Sequence, residues 1–354
     1  MHLKAMTLSN RFTQAYGLTT PIAQAGMAFV GMRPDLVTAV SRAGALGALG
    51  AALLPAPLLI ETITKIKAAT DRPFNVNFIT AFVGADHIDA VCRTGAPVVS
   101  FHWGHPARTW IDQLHSAGVR VFEQVGSVDD ARRAVDDGVD VIVAQGREAG
   151  GHNFSRLPTF AFVPLVVDAV APAMVLAAGG IADGRGLAAA LMLGADGAWV
   201  GTRFVATHES EAHDGYKARL VAADATQTVL TGLFGPDNPG FNPMRVLANR
   251  VVREWHDRVG EIPADTSGLP VIGNLNLLGQ AMTMHRFSNL LPLREATTGD
   301  LEEMAMPAGL GVGLVSTVES AAAVVGEMTA QARAALDRYG ATATAAPRAE
   351  ATAR

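Results

Sequence analysis

The chain has 354 residues, 49% of them hydrophobic and 17% charged, with 36 glycines and a formal net charge of −5. That is enough apolar matter for one large core, and with no long run of Lys and Arg it excludes a surface built to track a nucleic-acid backbone. Cys92 is the only cysteine, which excludes an intramolecular disulfide and a cysteine-based metal site and points to a reducing, cytoplasmic setting.

The N-terminal MHLKAMTLSNRFTQAYG lacks the continuous apolar core of a signal peptide. No uncharged apolar stretch of the ~18 residues that span a bilayer is free of Gly, Pro or polar breaks, so a soluble protein is expected. From there short β-like runs recur, each followed by a segment with helical apolar spacing. The runs are Pro21–Gln24, Leu46–Ala51, Phe74–Phe78, Val98–His102, Val119–Gln124, Val139–Gln145, Met174–Ala178 and Ala198–Gly201. Between them the spacing predicts helices over Asp35–Ala43, Pro57–Ala69, Asp86–Arg93, Pro106–Ala117, Ser127–Asp136, Phe160–Ala171 and Gly184–Leu193, several opening on Asp or Ser, which cap orphan amide hydrogens. Eight parallel strands joined by right-handed helical crossovers close into a (β/α)8 TIM barrel, with an open doubly wound sheet as the alternative.

After Thr202 the rhythm is lost. Residues 204–309 are expected to form a mostly helical insertion, a lid over the barrel mouth, between barrel segments 1–203 and 310–339; a separate second domain is the alternative. An amphipathic helix over Ser316–Tyr339 would close the barrel, and the Ala/Thr-rich residues 340–354 are read as a disordered tail.

A barrel builds its active site from the loops after its strands, so chemistry should sit at strand C-termini. There the sequence places Gln24, Gly26 and Met27 after the first strand, Asn77 after the third, His102 after the fourth and Gln124 after the fifth. AQGREAGGHN follows the sixth, carrying Gln145, Ala149, Gly150, Gly151 and His152; Gly179 and Gly180 follow the seventh, Gly201 and Thr202 the eighth. Glycines let the backbone approach a ligand, and free amide hydrogens near a helix start favour an anion, so the last three loops read as a phosphate cradle. His152 stands directly beside the cradle, and an imidazole can take a proton from a carbon acid near neutrality. His102 and His105 in HWGH are spaced for metal, but no carboxylate partner or third ligand is evident, and no metal is expected. GLGVG at residues 309–313 lacks the βαβ context of a dinucleotide loop and reads as a turn before the last helix.

Taken together, PIAQAGMAFV, GALGALGA, PFNVNFIT, VVSFHWGHP, AQGREAGGHN and AAGGIADGRG…GADGAWVGTRF resemble the nitronate monooxygenase family, formerly the 2-nitropropane dioxygenases, and the likeness resumes in NPMRVLANRVVREW and AGLGVGLV. The resemblance implies an FMN-dependent barrel enzyme that oxidises alkyl nitronates with O2 to carbonyl compounds and nitrite. By motif position it assigns FMN contacts to Met27, Asn77, Gln124, Gly150, Gly151, Gly179, Gly180, Gly201 and Thr202, and makes His152 the active-site histidine. Gln24, Gly26, Gln145 and Ala149 join the cofactor set by their places on the same loops. The chain departs from the family pattern before the last helix, where many relatives carry Tyr-Ala-Gly-Gln and this one reads Met306-Pro307-Ala308-Gly309-Leu310; the polar groups lost there leave the substrate open.

Two rivals remain. EAGGH, GGIADG and ESEAHDGYKARL also resemble the FMN-dependent enoyl-acyl-carrier-protein reductases, which would pass hydride from NAD(P)H to a thioester. A non-catalytic flavin- or phosphate-ligand-binding protein is the rival of another class. The insertion's Phe234, Phe241, Met244, Trp255, Met282, Met284 and Phe287 point to an apolar pocket and a substrate with an uncharged tail. Small-molecule substrate and O2 are the expected partners, with no nucleic acid and no membrane; a homodimer is left open.

Overall fold

The computed structural model describes residues 8–345. Nine strands form in the first 200 residues: β1 (Ile22–Gln24), β2 (Gly47–Gly50), β3 (Phe74–Ile79), β4 (Val98–His102), β5 (Arg120–Val125), β6 (Val141–Gln145), β7 (Gly151–His152), β8 (Met174–Ala178) and β9 (Gly197–Val200). All but β7 join one parallel sheet in the order β1-β9-β8-β6-β5-β4-β3-β2. A parallel bridge between Ala23 and Leu46 and the hydrogen bonds Gln24 N to Leu46 O (2.8 Å) and Leu46 N to Ile22 O (2.9 Å) bring the two ends together. The fold is the expected (β/α)8 barrel. Closure satisfies edge groups that an open sheet would leave unpaired.

Helices α1 (Arg11–Tyr16), α2 (Pro34–Arg42), α3 (Ala56–Ala69), α4 (Ala85–Thr94), α5 (Arg108–Ser116), α6 (Val128–Asp136), α7 (Thr159–Val170) and α8 (Gly184–Met192) alternate with the strands. Ser127 and Asp183 cap α6 and α8 through their side chains, and Gly95 ends α4 at φ +62°, a left-handed conformation that glycine adopts without penalty. The sequence reading passed over α1. Asn10 caps it, and its Phe12 and Tyr16 pack on inward-facing Phe122 at ring separations of 6.3 and 5.2 Å.

Alternation along the strands sorts the two faces. In β5, Val121 and Val125 belong to the layer between sheet and helices, whereas Phe122 fills the barrel interior with Val98, Val141, Val143, Leu176 and Trp199. The same alternation turns Asn77, His102, Gln124 and Gln145 inward at the strand ends.

Beyond α9 (Thr202–Val205), the insertion departs from the expected mostly helical cover. It holds α10 (Asp214–Ala222), α11 (Arg250–Trp255) and short 3-10 turns, but also β10 (Thr228–Thr231), β11 (Met244–Leu247), β12 (Val271–Leu277), β13 (Gln280–His285) and β14 (Thr297–Gly299) in two antiparallel sheets. VIGNLNL and QAMTMH alternate with a period of two, and Leu278 and Gly279 turn the hairpin at φ +53° and +84°, the mirror-image turn that fits strand twist. The insertion packs around its own apolar cluster, which includes Tyr216, Phe234, Met244, Met284, Phe287 and Met306.

The last helix, α12 (Ala321–Ala345), packs chiefly on α8 and also on α2. It starts later than expected and continues to Ala345, so residues 340–345 are helical rather than disordered; the rest of the expected tail, 346–354, lies outside the described residues. Among the described residues no helix is long and apolar enough to cross a membrane.

Candidate active site

At the C-terminal mouth of the barrel lies a cavity of about 390 Å³. Gly26, Met27, Asn77, Gln124, Gln145, Ala149, Gly150, Gly151, His152, Gly179, Gly180, Gly201 and Thr202 all line it. Thirteen of the fourteen site residues read from the sequence therefore converge on one space. The exception is Gln24. Ala23 faces the interior, so strand alternation turns Gln24 outward, where it is fully buried and pairs with the backbone of β2, donating to Ala48 O (2.9 Å) and accepting from Ala48 N (3.1 Å). Gln24 is a seam residue of the barrel, not a cavity residue.

The loops after β6, β8 and β9 meet one another and the segment from Pro307 to Leu310. Gly309 N donates to Thr202 Oγ1 (3.0 Å) and Leu310 N to Glu148 O (2.9 Å). Gly179 (φ +110°) and Gly180 (φ +73°) take conformations that side chains resist, and a Cβ at Gly179 would lie 2.8 Å from Thr159 Oγ1. The stretch GLGVG forms a 3-10 turn whose Gly309 and Gly311 reach the cavity wall.

His152 is placed by the insertion as much as by the barrel. β7 pairs antiparallel with β11, matching His152 to Met244 and Gly151 to Arg245, while Asn153 N donates to Pro243 O (3.0 Å). Arg245 also donates to Arg147 O (3.1 and 3.3 Å). Around the imidazole stand Phe241 (3.7 Å between ring centres), Trp103 (5.6 Å) and, beyond Trp103, Phe154.

Among the described residues no Asp, Glu, Lys or Arg lines the cavity. Burial pushes the His152 imidazole down to about 3, helped by the proximity of His102, and burial pushes His102 down to about 4, partly offset by the His152 backbone. Both rings are uncharged at neutral pH. His152 therefore presents an unprotonated ring nitrogen, and Gln124 Nε2 lies 3.0 Å from His102 Nδ1.

His105 departs from the sequence reading. It has two carboxylate partners, Glu123 Oε2 at 2.8 Å and Asp137 Oδ2 at 2.9 Å, brought in by β5 and the end of α6. Trp103, Trp199 and Tyr216 escaped the sequence reading; for Trp199 the signal was available, since alternation from Ala198 aims it inward.

Two buried polar atoms on cavity residues have no hydrogen-bond partner among the described residues: Gln145 Oε1, an acceptor, and Trp199 Nε1, a donor. A lone acceptor and a lone donor, a largely apolar wall and glycine backbone suit a planar heteroaromatic ring that carries both functions on its edges. The residues present fit a flavin.

Comparison with known proteins agrees. A "(3aS,4S,5R,7aS)-5-hydroxy-7a-methyl-1-oxo-octahydro-1H-indene-4-carboxyl-CoA dehydrogenase" of Mycobacterium tuberculosis is 40% identical over 230 residues, 64% of each chain, so this chain spans under two thirds of that relative's length. A "Probable nitronate monooxygenase" of Staphylococcus saprophyticus is 33% identical over 307 residues, 73% of this chain and 84% of the relative. Among solved structures, FabK from Thermotoga maritima matches with a TM-score of 0.77 at 31% identity, covering 95% of this chain and 100% of that one. The family model described as nitronate monooxygenase matches residues 9–85 and 80–331, and the chain belongs to that family of flavin-dependent oxidoreductases.

Proposed function

We propose that this protein uses FMN and O2 to oxidise alkyl nitronates, or the nitroalkanes from which His152 generates them, to carbonyl compounds and nitrite. The observation that carries the reading is His152: a half-buried, uncharged imidazole on the cavity wall, on the same loop as Gly150 and Gly151. Family membership supports it. The α-proton of a nitroalkane is acidic enough for an ordinary imidazole to remove near pH 7; burial weakens His152 as a base, and the nitronate anion formed beside it would offset that loss by pairing with the imidazolium.

FMN would be held at its phosphate by backbone amides of Gly150, Gly151, Gly179, Gly180 and Gly201 and by Thr202, with Asn77, Gln124 and Gln145 at the ring edge and Gly26, Met27 and Ala149 against the ring. Bound there it supplies a two-electron acceptor that O2 can reoxidise. Leu53, Ile79, Phe82, Leu277, Met282 and Leu290 form an apolar remainder of the cavity that accepts an uncharged tail and keeps water from the proton-transfer site.

One observation favours a second reading. Among the described residues no Lys or Arg stands on the wall, so a preformed anion meets no cation from them, whereas a neutral thioester is well accommodated. The relative that is 40% identical is named as a dehydrogenase of a CoA derivative. In this reading the protein is an NAD(P)H-dependent oxidoreductase of the enoyl-acyl-carrier-protein reductase kind.

Anaerobic mixing of the flavin-loaded enzyme with alkyl nitronate or with NADPH separates the two. Rapid bleaching of the oxidised flavin band by nitronate, with nitrite formed once oxygen is admitted, is the expected result. Bleaching by NADPH alone, with nitronate inert, overturns the monooxygenase reading.

A further inference from the structure

A histidine that moves protons is ordinarily oriented by a hydrogen bond from its second ring nitrogen to a carboxylate or carbonyl. His152 has none: no group among the described residues hydrogen-bonds its imidazole, although its backbone is fixed by pairing with Met244. What touches the ring is aromatic. Phe241 lies over it at 3.7 Å with the planes inclined by 35°, and Trp103 approaches edge-on at 5.6 Å and 69°.

Trp103 is itself held from several sides. Its φ is +61°, a left-handed backbone that is costly for a non-glycine residue and persists only where the surroundings enforce it. Its indole Nε1 donates to Gly240 O (3.0 Å), tying the barrel to the insertion loop that carries Phe241. Its ring meets Phe241 and Phe154 edge-on at 5.2 and 5.0 Å. The turn that follows is pinned where Thr80 Oγ1 donates to Gly104 O (2.9 Å), and one residue later both ring nitrogens of His105 reach carboxylates, Glu123 and Asp137. Glu123 is 2% exposed and lies on the outer face of β5, back to back with Gln124 of the cavity.

We propose that Trp103 is the positioning residue of His152, orienting its imidazole by ring packing in place of a hydrogen bond, and that the His105 anchor on Glu123 and Asp137 holds Trp103 at its post. The proposal rests on His152 being the proton acceptor of the site. Neither Trp103 nor His105 lines the cavity, so both act through the residues that do.

The test is histidine NMR on the flavin-loaded enzyme, with the His152 signal assigned by its loss in His152→Gln. Trp103→Ala opens the ring to water, and the His152 pKa should then rise by about two units or more toward its free value. In the same variant kcat should fall on the order of tenfold or more, with KM for nitronate within about threefold and flavin content unchanged. Trp103→Phe, which keeps a ring and loses the bond to Gly240, should recover most of kcat. His105→Ala should move the His152 titration in the same direction by a smaller amount. A His152 titration unmoved in flavin-loaded Trp103→Ala overturns the proposal; if that variant does not fold, an unmoved titration in His105→Ala does so. Full activity in His152→Ala alongside a shifted titration in Trp103→Ala would refute the assigned role of His152 and leave the packing relation standing.

Discussion

Gly150 offers the sharpest test of how the cavity is built. A methyl group there would lie 2.4 Å from Gly309 N, 2.6 Å from Ala308 C and 3.0 Å from Ala308 Cα, all backbone atoms. Relief to an ordinary contact of about 3.5 Å requires a movement of roughly 1 Å. The segment that would have to move is fastened by Gly309 N to Thr202 Oγ1 (3.0 Å), Leu310 N to Glu148 O (2.9 Å) and Ala308 N to Arg245 O (3.2 Å). Overpacking costs about 1–3 kcal/mol and stretching one of these hydrogen bonds about 1 kcal/mol more, so Gly150→Ala should destabilise the protein by roughly 2–4 kcal/mol. At about 1–2 °C per kcal/mol for a chain of this length, Tm should fall by roughly 3–6 °C. Because the displaced loop also carries Gly151 and His152, Kd for FMN, read by quenching of flavin fluorescence, should weaken by about tenfold or more. Gly180→Ala is the control: at φ +73° its nearest atom is Glu148 Cβ at 3.4 Å, so it meets backbone strain of about 1–2 kcal/mol and little steric conflict. A Gly150→Ala protein as stable as its parent, with FMN affinity unchanged, would refute this account of the cradle.

Other expectations bear on the ionisable groups. His152→Ala should retain flavin and lose about 10²–10⁴-fold in kcat/KM toward a neutral nitroalkane, with a much smaller loss toward preformed nitronate; equal losses on both would remove the base role. Since burial holds His152 down to about 3, kcat/KM for the nitroalkane should show no acid limb near 6.5, and a limb there that vanishes in His152→Ala would contradict the desolvated setting. The unfolded chain takes up a proton at this position below about 6.5 while the native one does not, so this group weakens stability progressively from there down to about 3. Burial pushes the Glu123 carboxyl up to about 7, against the opposing pull of His105 and Arg133 and with the help of Asp130. The native state then keeps a proton that the unfolded state releases near 4.5, so the native state loses stability as pH rises from there through about 7. Glu123→Gln, which still accepts from His105, should gain on the parent over that window by on the order of 2–3 kcal/mol in urea midpoints; a constant difference across pH would refute it.

The eight-strand rhythm was legible from the sequence because parallel strands buried on both faces write themselves as short apolar runs punctuated by glycine. Val98–His102 and Met174–Ala178 were read with the bounds they have in the structure. Position at a strand end was also enough to gather Asn77, Gln124, Gln145 and the glycine loops, because a barrel directs every strand's C-terminus to one mouth. Gln24 shows the limit of that rule. A strand end has two faces, and only the packing of Ala23 inward reveals which one Gln24 takes. The insertion was harder, since VIGNLNL and QAMTMH alternate too briefly to outweigh the helical segments beside them, and their pairing is decided by contacts rather than by propensity. Most of what the sequence withheld is long-range: β11 coming back to pair with the His152 loop, Phe241 settling on the imidazole, and two carboxylates from β5 and α6 converging on His105. Local pattern determines which residues face a common space. Which of them touch, and with what charge, is decided only when segments separated along the chain close on one another and expel the water between them.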